Sequence, residues 1–311
     1  MRPMDVLCFG EALVDLLPDR RGRLRDCERF AVHPGGAPAN VAVGLARLGF
    51  RAAFCGVVGE DEFGHLLDRK LREEGVDVRF RFTREARTGL WFVALDERGD
   101  RTFFSPGGGE SADKLVREED ALAAPVANAA WLHCGSSCHV RPEGQRALES
   151  IVQSARDASV HVSFDPNVRA HLWRDIRELR ALCERVFPLC SLVKLSEDEC
   201  EICTGEPDPE RAARRLRDAG VSIVCITMGE RGAVALRGER WFRVAAPRVE
   251  VVDTTGAGDG FVAGVLSRLA RDPQPADDVL QLALELGCAV GSSVCTKFGA
   301  VAGLPRADHL P

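Results

Sequence analysis

Short apolar runs alternate with amphipathic stretches along most of this chain, and that alternation predicts its architecture. Val6-Leu7-Cys8-Phe9-Gly10 reads as a buried strand ending in a loop that carries Glu11 and Asp15. The same pattern predicts strands over 52–58, 131–135, 160–165, 192–195 and 223–228. Between and after them, apolar positions at helical spacing predict helices over 41–49, 63–74, 112–122, 144–155, 176–186, 198–204 and 209–219, with a closing helix over 279–294. Residues 233–244 read as a hairpin. Strands alternating with helices specify an α/β fold with a mainly parallel sheet covered on both faces, and such sheets gather ligand groups at their strand ends.

The texture changes from 78 to 104, where several short strands follow one another with turn signals at Thr88-Gly89 and over 97–100. A β-insertion between α/β units predicts a flap rather than more core. Pro106-Gly107-Gly108-Gly109 reads as a hinge-like link after it.

Two glycine corners carry candidate chemistry. In the first, Val251-Val252 reads as a strand-like run that breaks on Asp253-Thr254-Thr255-Gly256-Ala257-Gly258-Asp259 and opens into an apolar helix. Glycines let the backbone approach a ligand, and the first N–H groups of a helix have no intrahelical partner, so the corner attracts anions. Asp259 would then stand beside a phosphoryl group, placed to take a proton from a hydroxyl. The bland alternative is a helix capped by Asp, and this stretch alone leaves both open. In the second corner, Gly35, Gly36 and Asn40 stand at the entrance of the small-residue helix. An Asn amide there suits sugar hydroxyls, or serves only as a cap. Asp15 is a further acceptor-site candidate, against the plain reading of a polar residue in a strand. Polar groups also cluster at strand ends over 165–169, 196–199 and 227–232.

Composition narrows the function class. With a net charge of −6 the chain has no basic stripe to neutralise a nucleic-acid backbone, and its arginines are interleaved with acids. It shows no signal peptide and no apolar run of membrane-spanning length, so a cytoplasmic location is expected. The 12 cysteines are scattered through apolar or helical stretches and read as reduced core thiols. Cys200 and Cys203 have metal-ligand spacing but no second pair to complete a site. A Walker-type loop, an early dinucleotide fingerprint and a nucleophile elbow are all missing from the sequence. Ser136 and Ser137 read as turn or substrate-side hydroxyls rather than nucleophiles.

With both corners in place, the chain resembles the ribokinase-like carbohydrate kinase family, also called the phosphofructokinase-B family, over nearly its whole length. Asp-Thr-Thr-Gly-Ala-Gly-Asp before an apolar helix is similar to the family's C-terminal signature, and 35–64 is similar to its N-terminal one. The resemblance implies a single kinase domain over 1–311, with a three-layer fold and a small β-sheet lid from about 16–30 and 78–104. It implies that Asp259 is the general base, and that the N–H groups of Gly256, Ala257, Gly258 and Asp259 stabilise charge on the transferred phosphoryl group. Asp15, Gly35, Gly36, Asn40 and Arg169 would hold the sugar, and Thr227, Gly229 and Gly232 the nucleotide. ATP and Mg²⁺ are implied, with Glu199 acting on the metal through water. A K⁺ ion would take oxygens from Asp253 and Thr255 and from the carbonyls of Val294, Lys297 and Gly299. Exposed lid edges are seldom left bare, which suggests a homodimer.

The family resemblance also bears on the acceptor. Asp165-Pro166-Asn167-Val168-Arg169 with Leu172-Trp173, Ser111-Ala112-Asp113, and Glu11 to Asp15 are similar to fructokinases, so fructose to fructose 6-phosphate is the leading expectation. A 2-keto-3-deoxygluconate kinase and a nucleoside kinase are the alternatives, and a silent sugar- or nucleotide-binding protein is the non-enzymatic one. The chain has no Tyr, and no Arg between 102 and 116, which weighs against a sugar acid.

Overall fold

The computed structural model describes residues 3–18, 20, 22–95, 101–105, 110–272 and 275–309. Its strands are β1 (Met4–Phe9), β2 (Leu13–Pro18), β3 (Phe30–Gly35), β4 (Ala52–Gly59), β5 (Asp77–Thr83), β6 (Leu90–Leu95), β7 (Arg101–Phe104), β8 (Ala129–Cys134), β9 (His161–Phe164), β10 (Leu192–Ser196), β11 (Ile223–Thr227), β12 (Ala233–Arg237) and β13 (Arg240–Val244). The helices are α1 (Ala37–Arg47), α2 (Glu62–Glu73), α3 (Glu118–Ala123), α4 (Pro142–Asp157), α5 (Ile176–Val186), α6 (Glu197–Thr204), α7 (Pro209–Asp218), α8 (Ala257–Leu269) and α9 (Asp277–Val294).

Among the described residues, nine strands form one sheet in the order β13-β12-β11-β10-β9-β8-β1-β4-β5. All of its neighbours are parallel except the β11-β12-β13 edge, where the expected hairpin lies. Burial explains the apolar runs. In β1, Leu7 and Phe9 enter one core with residues of α4 to α7, while Val6 and Cys8 enter a second with residues of α1, α2, α8 and α9. A strand covered on both faces needs apolar residues at every position, not at alternate ones. Helices thus flank the sheet on both sides, as the alternation predicted.

A separate sheet has the order β3-β2-β6-β7. Its register puts His33, Asp15 and Trp91 side by side on one face, and Val32, Leu16, Phe92 and Phe104 on the other. Val32 is 45% and Phe104 54% exposed, so the second face presents apolar surface outward.

Three expectations need correction. Residues 78–83 do not belong to the small sheet: β5 pairs parallel with β4 after the α2 crossover, because Val78 buries and Phe80 packs against Phe54 with ring centroids 5.5 Å apart. The small sheet instead begins at Leu13, includes Phe30–Gly35, and resumes only at Leu90. The expected helix over 112–122 is a short 3-10 turn over Ala112–Leu115 followed, after extended Val116, by α3. Val251-Val252 is not a strand: Val251 is 58% exposed, and the N–H groups of Val252 and Asp253 donate to the Cys295 carbonyl at the end of α9. The turn over 97–100 and the link over 106–109 lie outside the described residues.

The helix that follows the anion corner is seated closely on its neighbour. A Cβ added at Gly264 of α8 would lie 2.8 Å from the Gly287 Cα of α9, so glycine is required there for the two backbones to approach.

Candidate active site

The strand ends, the small sheet and the N-terminus of α8 enclose a cleft of about 770 Å³. One end is lined by Glu11, Asp15, Gly36, Asn40, Trp91 and Lys114; the other by Ser196 to Glu199, Thr227, Met228 and Gly229. Thr254 to Asp259 also line the cleft, with Asn167, Arg169 and Lys194, and hydrogen bonds tie Asp259 to Asn40 of the first end and to Asn167 of the loop after β9.

Gly256 caps α8 in the left-handed region with φ 79°, and a Cβ there would fall 2.6 Å from that of Ala300. This turn places Ala257, Gly258 and Asp259 in the first turn of the helix. The Ala257 N–H departs from expectation by donating to Thr254 O at 3.2 Å, a contact the tight turn makes available. Gly258 and Asp259 remain as the positions whose N–H groups have no carbonyl a turn earlier within the helix. Asp259 does not cap the helix. Its carboxylate accepts from Asn40 Nδ2 at 2.8 Å and from Asn167 Nδ2 at 3.4 Å. Asn40 is free to do this because it lies inside α1, whose cap is Gly36, rather than at the capping position. Burial raises the pKa of Asp259 above the ordinary carboxylate value, while the Asn40 bond and the charges of Lys194 and Arg169 hold it down.

Lys194 was not anticipated as a site residue. It rises from β10 into the cleft, and its Nζ lies 3.0 Å from Asp165 Oδ2 with both side chains nearly fully buried. Burial opposes its charge, but Asp165, Glu199 and Asp259 outweigh that, and its pKa lies above that of a free lysine. A Cβ at Gly258 would lie 3.0 Å from Nζ, so the glycine leaves room for an ammonium at the anion corner. Burial likewise lifts Asp165 to about 6 in spite of Lys194. Burial also opposes ionisation of Glu199, yet Lys194 and backbone N–H groups leave it below its usual value. Those donors are Ser196 N at 2.7 Å and Val168 N at 2.6 Å, one to each carboxylate oxygen. Ser196 and Glu199 thereby close a capping box on α6.

At the small-sheet end, Gly36 has φ 104°, and a Cβ there would meet the Glu11 carbonyl at 2.4 Å. Gly35 sits behind Asp15, whose Oδ2 would be 2.3 Å from an added Cβ; it is Asp15 that lines the cleft. Trp91 meets His171 edge-on at 5.5 Å, joining the small sheet to the loop after β9. Arg169 lines the cleft with its Nη1 donating to the carbonyls of Asn167 and Val168.

At the other end Thr227 and Gly229 line the cleft, but Gly232 does not. It has φ 91° and an added Cβ would meet Val244 O at 2.0 Å, so its glycine serves the β12-β13 hairpin. Beside the anion corner, Asp253 Oδ1 accepts from the Thr255 N–H and Oγ1, and Oδ2 accepts from Gly299 N at 2.9 Å. Lys297 N donates to Val294 O at 3.4 Å. The loop after α9 is therefore brought to Asp253, as the expected cation set requires, although only Thr255 of that set lines the cleft.

Ser136 Oγ donates to Pro166 O, joining the loop after β8 to the loop after β9. Cys200 and Cys203 are buried on α6, and no group of three or more metal-ligating side chains occurs among the described residues. Besides Lys194, the residue missed was Lys114; Glu11 and Asn167 were expected among the polar groups at strand ends, without a role of their own, and both line the cleft. A lone lysine inside the apolar run Val193-Lys194-Leu195 was the available signal, since an unpaired buried charge is costly.

A model of the pfkB family of carbohydrate kinases matches residues 4–307. The fructokinase of Klebsiella pneumoniae is 40% identical over 97% of this chain and 96% of its own. A double mutant of fructokinase from Vibrio cholerae O395, in a form with fructose, ADP and potassium ion bound, has a TM-score of 0.86 and 33% identity, covering 96% of this chain and 94% of that one. Aminoimidazole riboside kinase from Salmonella enterica, complexed with aminoimidazole riboside and an ATP analogue, has a TM-score of 0.85 and 31% identity over 97% of each chain.

Proposed function

Because the chain belongs to the pfkB family of carbohydrate kinases, it is a phosphotransferase with an alcohol acceptor, and we propose that it transfers the γ-phosphate of ATP to fructose, giving fructose 6-phosphate. The observation that carries the reading is the position of Asp259. A buried carboxylate held at 2.8 Å by Asn40 stands in the first turn of α8, between the small-sheet end of the cleft and the strand-end loops.

In this reading the acceptor hydroxyl gives its proton to Asp259 as its oxygen bonds to the γ-phosphorus, and the bond to the β-bridging oxygen breaks to release ADP. Asp15, Gly36 and Asn40 hold the sugar, with Arg169 near the transfer point. Thr227 and Gly229 contact the nucleotide. Charge on the phosphoryl oxygens is met by the Gly258 and Asp259 N–H groups and by Lys194.

Mg²⁺ would arrive with the phosphates and neutralise their charge while keeping several of its own waters. The residues present fit that role only through water, because each Glu199 oxygen already accepts a backbone N–H while retaining a further lone pair. K⁺ is supported by the Asp253 loop, where Thr255 and Gly299 are drawn together by one carboxylate.

We further propose that 1–311 acts as one kinase unit in the cytoplasm, with the small sheet as a lid that excludes water from the transferred group. Support comes from its register, which turns Asp15 and Trp91 toward the cleft. Its outward apolar face, with Val32 and Phe104, fits pairing with a second copy of the chain. No helix among the described residues is long and apolar enough to cross a membrane.

The test is ADP release, with and without K⁺, over fructose, other hexoses, ribose, 2-keto-3-deoxygluconate and nucleosides. Fructose should give the highest kcat/KM. ATP binding without ADP release from any acceptor would leave a silent binding protein instead.

A further inference from the structure

We propose that Glu11 and Lys114 form a hydroxyl clamp at the acceptor end of the cleft, which selects an uncharged polyhydroxy acceptor over a sugar acid. The inference rests on the kinase reading above and names the side chains that choose its substrate.

Both residues line the cleft, and each is only 3% exposed. Glu11 Oε1 accepts from Ala37 N at 3.2 Å, whereas Oε2 is buried with no hydrogen-bond partner among the described residues. A buried acceptor left unmet costs stability, so a ligand hydroxyl brought to Oε2 would relieve that cost. Lys114 supplies the complementary group. Its Nζ lies 2.6 Å from Asp113 Oδ2, and an ammonium has three protons, of which that bond uses one. The two charges sense each other: burial raises Glu11 to about 7, and Lys114 opposes that rise. A hydroxyl set against this pair would donate to Glu11 Oε2 and accept from Lys114 Nζ.

The cluster is also fixed in place. Asp113 accepts from Ser111 Oγ, and a Cβ at Gly89 would lie 3.2 Å from Asp113 Oδ1, so the pair is anchored at the root of β6 in the small sheet.

Charge then decides which acceptor fits. Glu11 and Asp15 place two carboxyl groups at this end, and the one buried ammonium is matched by Asp113. Arg169 is held against the Asn167 and Val168 carbonyls, and its charge bears on Asp259 at the transfer point. Burial, Arg169 and Lys114 together depress the pKa of His171, which keeps that ring neutral near pH 7. A substrate carboxylate would therefore face acidic groups without an unmatched cation.

The test uses the full chain and two variants, with thermal unfolding as the control for folding. Glu11→Gln keeps an oxygen for Ala37 N–H but puts an N–H donor where Oε2 would accept the ligand hydroxyl. Since Lys114→Met alone strands a buried Asp113, the double variant Asp113→Asn/Lys114→Met is measured instead. Each should raise the fructose KM by roughly 10- to 100-fold while the ATP KM stays unchanged. Wild type should turn over fructose with higher kcat/KM than 2-keto-3-deoxygluconate. Unchanged fructose KM in both folded variants overturns the clamp, as does a wild-type preference for the sugar acid; neither result touches the kinase reading. If wild type releases no ADP with any sugar, the kinase reading fails. Calorimetric binding of fructose beside a non-hydrolysable ATP analogue then judges the clamp alone: equal affinity in wild type and Glu11→Gln overturns it, and a tenfold loss upholds it.

Discussion

The side-chain amide of Asn40 donates to Oδ2 of Asp259 at 2.8 Å, joining helix α1 to helix α8 across 219 positions of sequence. The bond sets where the carboxylate points and leaves its other oxygen 3.4 Å from the Asn167 amide. Replacing Asp259 by Asn keeps the size of the side chain and removes the base. Asp259→Asn should lower kcat for fructose by roughly 10²- to 10⁴-fold with little change in either KM. ADP release by the purified variant checks this, and turnover at the wild-type rate would remove Asp259 from the base role.

The same bond predicts a pH effect. Burial raises the Asp259 pKa, and Asn40 lowers it. A general base must be ionised, so kcat/KM, which reports the free enzyme, falls as pH drops through that pKa, and the acid limb should lie above the range of an ordinary aspartate. Asn40→Ala removes a stabilising influence on the ionised form and should move the limb to higher pH. A kcat/KM–pH profile of the two proteins decides it; an unmoved or lowered limb contradicts the assignment.

Lys194 sits among Asp165, Glu199 and Asp259 with its side chain 6% exposed. Lys194→Met leaves those carboxylates buried without their cation, and should destabilise the fold by about 3–5 kcal/mol in urea unfolding at pH 7. It should also lower kcat, because the ammonium stands beside Gly258 at the anion corner. A loss below about 1 kcal/mol would mean that water reaches and screens the cluster.

Association through the small sheet makes a separate prediction. Val32 is 45% exposed on the face opposite Asp15, clear of the cleft lining. Val32→Asp should convert a dimer to monomer in sedimentation velocity while the monomer remains folded. A wild-type chain that sediments as a monomer at micromolar concentration would rule out the pairing.

The main sheet was legible because β1, β4, β8, β10 and β11 are covered on both faces, which forces unbroken apolar runs. The two glycine corners were legible for a different reason: tight turns and close approach admit few residues. Strand partners were not legible. The run at 78–83 looks like the short strands after it, and only the tertiary packing of Phe80 on Phe54 assigns β5 to the large sheet. Lys194 was hidden because one charge in an apolar run does not disturb the periodicity of a strand. Glu11 was visible as a loop acid, but its unmet oxygen exists only once α1 folds against it. Gly232 reads from the sequence as a nucleotide-side glycine, while its close approach to Val244 O at the open end of the β12-β13 pair exists only in the fold.

The contact of Gly264 with Gly287 lies five residues beyond Asp259 on the same helix, a distance of about 7.5 Å along its axis. An α-helix transmits an axial or lateral shift almost rigidly over so short a span. A methyl group added at this seam would therefore displace the carboxylate as well as the core, and a misplacement of about 1 Å is enough to cost two orders of magnitude in rate. Turnover can thus be tuned from the protein's interior, by substitutions at a helix seam that itself lines no part of the cleft.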